Sequence, residues 1–179
     1  MNYGRIIERD STNGPGIRVT LFVSGCTHHC KGCFQPETWN FDYGFKFTND
    51  IENRIIDLLK PNYVSGLTIL GGDPFEKSNQ IELYPFIKKL REVYNNSKTI
   101  WAFTGAIYES LLDKEYEYNT SITKELLSMM DVLVDGPFME EKKSLLLKFR
   151  GSSNQRLIEY SLIFQCYKDT KFPIMFQLF

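Results

Sequence analysis

The 179-residue chain has little histidine (two residues), little cysteine (four) and almost no excess charge, with 21 basic residues against 22 acidic ones for a net −1. So even a balance gives no electrostatic footprint for nucleic acid or for an anionic membrane surface. No apolar run approaches the roughly 18 residues that a membrane span needs. The opening MNYGRIIERDSTNGPG lacks the apolar stretch and small-residue cleavage site of a secretory signal, so a cytoplasmic protein is expected. Repeats, low-complexity tracts and Pro/Gly/Ser linkers are absent too. Length and pattern therefore point to a single domain over 1–179.

What is scarce is also concentrated. Residues 24–34 read SGCTHHCKGCF and hold three of the four cysteines and both histidines. Cys166 stands apart in the apolar LIFQCY, where a lone thiol reads as a buried structural residue. Three thiols within eight residues pair awkwardly as disulfides, and in a reducing compartment such clusters signal metal or redox chemistry. The spacing Cys26-x3-Cys30-x2-Cys33 admits three readings. Offsets of four and seven stack thiols on one helix face, but Gly25 and Gly32 bracket the stretch and favour a loop. Structural zinc could take His28, His29 or Cys166 as a fourth ligand, yet zinc knuckles usually bring a second ligand pair, and none is present. An iron–sulfur cluster on three local cysteines leaves one iron open, an asset in a catalyst just as the open position of catalytic zinc is.

Around this knot, strand and helix patterns alternate. IRVTLFV (17–23) reads as a buried strand that runs straight into Ser24, Gly25 and the cysteines. TNDIENRIIDLLK reads as a helix capped by Thr48 or Asn49, with Ile51, Ile55, Leu58 and Leu59 on one face. GLTILGGDPF is a short strand that breaks at Gly71-Gly72, and ELYPFIKKLREVY is helical after Pro85. KTIWAFTG, ITKELLSMM, DVLVDGPF and a shorter RLIEY continue the series as strand, helix, strand and strand. Such alternation argues for an α/β domain with a parallel sheet. The cysteines, Gly71-Gly72-Asp73, Thr104-Gly105 and Asp135-Gly136 each follow an apolar strand. In parallel sheets that end is the ligand-binding rim, so four distant segments should share one cleft.

These residues carry a resemblance. The cysteine triplet after the first strand of an α/β chain resembles the radical S-adenosylmethionine superfamily, whose fold is a partial (incomplete) β/α barrel. NGPGIRVTLFVSGCTHHCKGCFQPETWNF, LTILGGDPF, WAFTG, DVLVDGPF and RGSSNQR together resemble the family that activates the anaerobic (class III) ribonucleotide reductase. The likeness runs from about Tyr3 to Glu159 and leaves 161–179 as an extension outside it. Superfamily members often carry an aromatic just before the third cysteine; here Gly32 stands there and the aromatic, Phe34, follows, in agreement with the narrower family.

The resemblance implies a [4Fe-4S] cluster on Cys26, Cys30 and Cys33, with S-adenosyl-L-methionine bound at the open iron. It further implies reductive cleavage of that cofactor and transfer of the radical to a glycine of the reductase large subunit, with flavodoxin or ferredoxin as electron donor. From motif and chemistry together, the Gly71 and Gly72 carbonyls would accept from the methionine ammonium, close approach being open to residues without a Cβ. Asp73 would add a charged acceptor. Phe34 would pack on the adenine, with Gly32 leaving it room, and Thr104 and Asp135 would meet ribose hydroxyls or the methionine end. Arg150 and the GSSNQ after it offer a cation and donors for a carboxylate. The turn Asn13-Gly14-Pro15-Gly16 would approach the cleft where the partner glycine enters. His28 and His29 are expected to face solvent or the partner. The other readings are an activase of the formate-lyase type, which often carries ferredoxin-like insertions not found here, and a zinc-binding interaction module. A homodimer is open, as is docking of the apolar C-terminal segment on the core or on a partner.

Overall fold

The computed structural model describes residues 1–160; Cys166 and the rest of 161–179 lie outside the described residues. Seven strands and four α-helices follow one another along these residues. The strands are β1 (Asn2–Asp10), β2 (Ile17–Val23), β3 (Phe45–Lys46), β4 (Val64–Gly71), β5 (Thr99–Phe103), β6 (Val132–Asp135) and β7 (Arg156–Glu159). The helices are α1 (Asn49–Leu59), α2 (Lys77–Tyr94), α3 (Tyr108–Leu112) and α4 (Thr123–Ser128). All strands join one sheet in the order β3-β1-β2-β4-β5-β6-β7. The expected parallel core is there in β2, β4, β5 and β6, while β1, β3 and β7 pair antiparallel at the flanks.

Alternation along the parallel strands separates two faces. Val19, Leu21, Val23, Leu67, Ile69, Ile100, Ala102 and Leu133 fall on one face. There they pack with Ile55, Ile56 and Leu59 of α1, Leu83, Phe86, Ile87 and Leu90 of α2, Leu111 of α3, and Leu126 and Leu127 of α4. Helices thus cover this face, as right-handed crossovers between parallel strands require. Trp101, Val132 and Val134 point the other way, with Phe103, Phe149 and Leu157 beside them. Phe22, Leu70 and Phe103 of this second face form the floor of an open cleft.

Four elements differ from the sequence pattern, one of them β3, whose two residues are too few to show a period. β1 is a full nine-residue strand that alternation does not reveal, because register shifts after Tyr3 and after Ile7 break its period. Helix α2 begins at Lys77 and passes through Pro85 instead of starting after it. Pro85 sits on the exposed side of α2, where water can meet the carbonyl left without a donor. α3, only five residues long, is too short to show a period.

Candidate metal centre and cofactor cleft

The four parallel strands end together, and their ends are stitched by backbone bonds. Gly72 N–H donates to the Val23 carbonyl at 2.7 Å and Asp73 N–H to that of Gly25 at 2.8 Å. Thr104 N–H donates to the Val134 carbonyl at 2.9 Å, and Gly136 N–H to that of Ala106 at 2.9 Å. Gly71 has φ +111, and a Cβ there would press on the Val23 carbonyl and Phe22 backbone, so glycine is required for β4 to lie this close to β2. A Cβ on Gly72 would likewise overlap the Gly25 carbonyl.

On this rim opens a cleft of about 600 Å³, in the size range of small-molecule sites. Cys26, Cys30, Cys33 and Phe34 line it together with Gly71, Gly72, Asp73, Thr104, Arg150 and Gly136, so the segments expected to meet do meet. Of the turn expected to approach the cleft, Asn13 lines it, joined by Thr12, while Gly14, Pro15 and Gly16 do not. That turn lies at the opposite end of the parallel strands, so the cleft runs along the sheet face.

The cysteine stretch is a loop, pinned to the residues that follow it. Gly25 N–H donates to Thr38 O at 2.7 Å, Cys26 N–H to Trp39 O at 3.2 Å and Cys33 N–H to Cys30 O at 3.1 Å. Burial, reinforced by Asp73 and Glu76, pushes the Cys26 thiol up to about 12, and burial raises Cys30 too. Unmetallated, such thiols keep their protons; bound metal replaces them. An amide donor already faces one of the sulfurs: Gln35 N–H reaches Cys33 Sγ at 3.4 Å. Hydrogen bonds to sulfur of this kind tune iron–sulfur centres.

Among the described residues, no three His, Cys, Asp or Glu side chains close around one point as a single metal ion would need. One tetrahedral zinc holds every ligand at about 2.0–2.3 Å, whereas a cluster spreads its thiolates over several irons. Three cysteine thiols on one loop, opening into one cleft, are a donor set that an iron–sulfur cluster takes.

Several side chains depart from their expected roles. Asp73, 1% exposed, is fully engaged. Its Oδ1 accepts Phe75 N–H at 2.8 Å, and its Oδ2 accepts Thr104 Oγ1 at 2.8 Å and Gly105 N–H at 2.9 Å. His28 turns inward, against the solvent-facing position expected of it, and puts Nε2 3.0 Å from the same Oδ2. The geometry is that of an ion pair more than of an aligned hydrogen bond. Burial lowers the His28 pKa, but Asp73, with Glu76 adding to it, outweighs burial and the net shift is upward. His29 does stay outside, with a left-handed φ of 46 and its ring stacked on Trp39 at 4.7 Å.

Asp135 does not line the cleft. It is buried in an ion pair with Arg156, whose Nε donates to Oδ1 at 2.9 Å, and it accepts Tyr108 N–H at 2.8 Å. Gly32 is outside the cleft lining as well; its φ of +72 serves the Cys30–Cys33 turn, packed against Glu140. Phe34 is 57% exposed in the cleft mouth, its ring 4.9 Å from that of Phe138 and beneath the Lys143 ammonium. Arg150 donates from Nη1 to Gln155 O at 3.0 Å and keeps a buried Nε without a protein partner. Gln155 anchors the RGSSNQ loop by accepting Gly151 N–H and donating to Gly136 O. The sequence pattern put His28 on the outside and left Phe138 and Lys143 unmarked, although the Phe closing DVLVDGPF was a signal at hand.

A family model described as a 4Fe-4S single cluster domain matches residues 12–158. That defines the class: a domain built around one iron–sulfur cluster. The anaerobic ribonucleoside-triphosphate reductase-activating protein of Haemophilus influenzae is 39% identical over 164 residues, 90% of this chain and all of the relative. The proteins of the same name from Enterobacteria phage T4 and Escherichia coli K12 are 37% and 36% identical over 157 residues, or 88% and 87% of this chain and 93% and 96% of theirs. The chain belongs to the family of anaerobic ribonucleoside-triphosphate reductase-activating proteins. Among the described residues no helix is long and apolar enough to cross a membrane.

Proposed function

We propose that this chain is the radical S-adenosylmethionine enzyme that installs a glycyl radical on the large subunit of an anaerobic ribonucleotide reductase. The observation carrying the reading is that the three cysteines open into one cleft with the ends of β4 and β5 and with Arg150. Cys26, Cys30 and Cys33 would hold a [4Fe-4S] cluster, and the sheet would be the superfamily's partial barrel. When bound, cluster and S-adenosylmethionine supply one-electron cleavage of the sulfonium bond and hydrogen abstraction from glycine, with flavodoxin or ferredoxin as the electron source.

The chain's own residues bind, orient and exclude water. The Gly71 and Gly72 carbonyls take the methionine ammonium, a task for backbone here because Asp73 is committed to the rim. Arg150 offers its unpartnered Nε to a carboxylate, Phe34 and Phe138 offer ring faces to adenine, and Phe22, Leu70 and Phe103 keep the floor apolar. The Thr12–Asn13 end admits the partner's glycine segment, and the cytoplasm is the compartment.

Anaerobic reconstitution tests this. About four irons per chain, an electron paramagnetic resonance signal altered by S-adenosylmethionine, and a radical on the reductase large subunit are expected. One zinc and no iron, or a radical only on a formate-lyase, would overturn it.

A further inference from the structure

We propose that His28 is a positioning residue: through Asp73 it latches the cysteine loop to the strand rim and so fixes the direction from which S-adenosylmethionine meets the cluster. The inference rests on the function proposed above and adds to it a residue that no motif marks.

His28 lies midway between Cys26 and Cys30, on a loop without regular structure. Its side chain, only 16% exposed, crosses from that loop to the ends of two other strands. Asp73, after β4, accepts from the Thr104 hydroxyl and the Gly105 amide, after β5, and lies 3.0 Å from His28 Nε2. One carboxylate therefore gathers three segments that sequence separates widely. Gly105 makes room for this: a Cβ there would overlap the imidazole. On its other side the imidazole meets the Tyr118 ring edge-on at 5.0 Å. Tyr118 donates its hydroxyl to Glu76 at 2.8 Å, and Glu76 also accepts the N–H and hydroxyl of Thr27, the residue before His28. The loop is thus held at two consecutive residues, both by groups of the β4–α2 connection.

Three thiolates define where a cluster sits and backbone bonds hold the loop at Gly25 and Cys26, but between Cys26 and Cys30 the inward ties against tilting are those of Thr27 and His28. Tilting would carry the open iron away from Gly71, Gly72 and Arg150, and misplacements of this size are costly in preorganised sites. The neighbouring His29 makes no such link; it stacks on Trp39 outside the cleft. Adjacent histidines of one loop thus do different work, one facing in and one facing out.

Three variants separate a latch from simple filling of space. His28→Gln places an amide donor near the position of Nε2, His28→Phe keeps the volume without a donor, and His28→Ala removes both. Each is reconstituted anaerobically, its iron counted, and its reduced signal titrated with S-adenosylmethionine. All three should take up about four irons, since every thiol remains. His28→Gln, whose amide keeps a polar contact with Asp73 without the imidazole's charge, should need less cofactor than His28→Phe or His28→Ala. His28→Phe and His28→Ala should need at least about tenfold more cofactor, the usual cost of removing an outer-shell partner. Gly105→Ala, which displaces the ring without removing it, should show the same shift and covers the case in which His28→Ala does not fold.

A normal response from His28→Phe, or a Gln variant no better than the Ala one, would overturn the latch. So would iron loss in His28→Phe that His28→Gln does not share, because the residue would then serve cluster uptake and not cofactor direction. If the unaltered protein itself takes up no iron or ignores the cofactor, the proposed function fails instead, and the two failures are distinguishable.

Discussion

Arg18 and Trp101 lie face to face inside the sheet, the guanidinium carbon 5.4 Å from the indole centre. Arg18 is wholly buried yet well supplied with acceptors. Its Nε donates to Thr68 Oγ1 at 2.7 Å, Nη1 to Thr99 Oγ1 at 2.9 Å, and Nη2 to the carbonyls of Leu67 and Thr99 at 2.7 and 3.1 Å. Burial brings its pKa down to about 10, so it stays charged at neutral pH. A lysine cannot reproduce this fork. Arg18→Lys is expected to lose roughly 2–3 kcal/mol through acceptors left unpaired. Urea unfolding of the metal-free protein, at unchanged slope, measures it.

The Asp135–Arg156 pair yields a contrast between stability and binding. Asp135 is buried and carries both the Arg156 contact and the Tyr108 amide. Asp135→Asn should destabilise the metal-free protein by about 2 kcal/mol, since Arg156 keeps its more exposed pair with Glu109 but loses a charged acceptor that is buried. Cofactor affinity in the reconstituted protein should stay within about twofold. A tenfold loss of affinity at unchanged stability would return Asp135 to the cleft.

Asp10 predicts an acid limb. Burial alone would raise its pKa, but hydrogen bonds from Thr12, Asn13 and Thr20 outweigh burial and bring it to about 2. The unfolded value is about 3.9. A depressed carboxylate stabilises the fold fully above its unfolded pKa and loses that contribution as pH falls toward the folded one. Asp10→Asn should therefore cost on the order of 2 kcal/mol at pH 7 and almost nothing near pH 2. Denaturant titrations of both proteins across that window would show the curves converging. Parallel curves would refute the assignment.

Phe34 is a probe of the proposed adenine site. Being largely exposed, its loss should shift stability by less than about 0.5 kcal/mol. Loss of a base-stacking ring costs about 1–3 kcal/mol in affinity. Phe34→Ala should thus raise the S-adenosylmethionine concentration needed for half-maximal spectral change by about tenfold, and Phe34→Tyr should not.

The rim was legible because it depends on local rules. An apolar run that ends in Gly, Asp or Cys is visible in sequence, and parallel pairing then brings such ends together, as Val23, Gly71, Phe103 and Asp135 do. Which rim side chain faces a ligand was not legible. Asp73 and Asp135 look alike as strand-end acids, yet one lines the cleft, held by Thr104 and Gly105, and the other is drawn away by an arginine 21 residues further on. His28 and His29 are adjacent and identical in type; the left-handed backbone at His29 separates them, and no local pattern encodes it. β1 stayed hidden because its bulges erase the alternation that marks a strand.

The described sheet is bounded by β3, two residues long, and by β7, four. An exposed strand edge invites another chain to add itself by backbone hydrogen bonds, and short edges blunt that invitation. β3 covers β1 only at Asn2 and Tyr3, however, so residues 4–10 of β1 are the open length of that border. Arg5, Glu8 and Arg9 stand exposed along that length, and charged side chains on an edge strand discourage a second chain from pairing there, a safeguard that neutral replacements at these positions would remove.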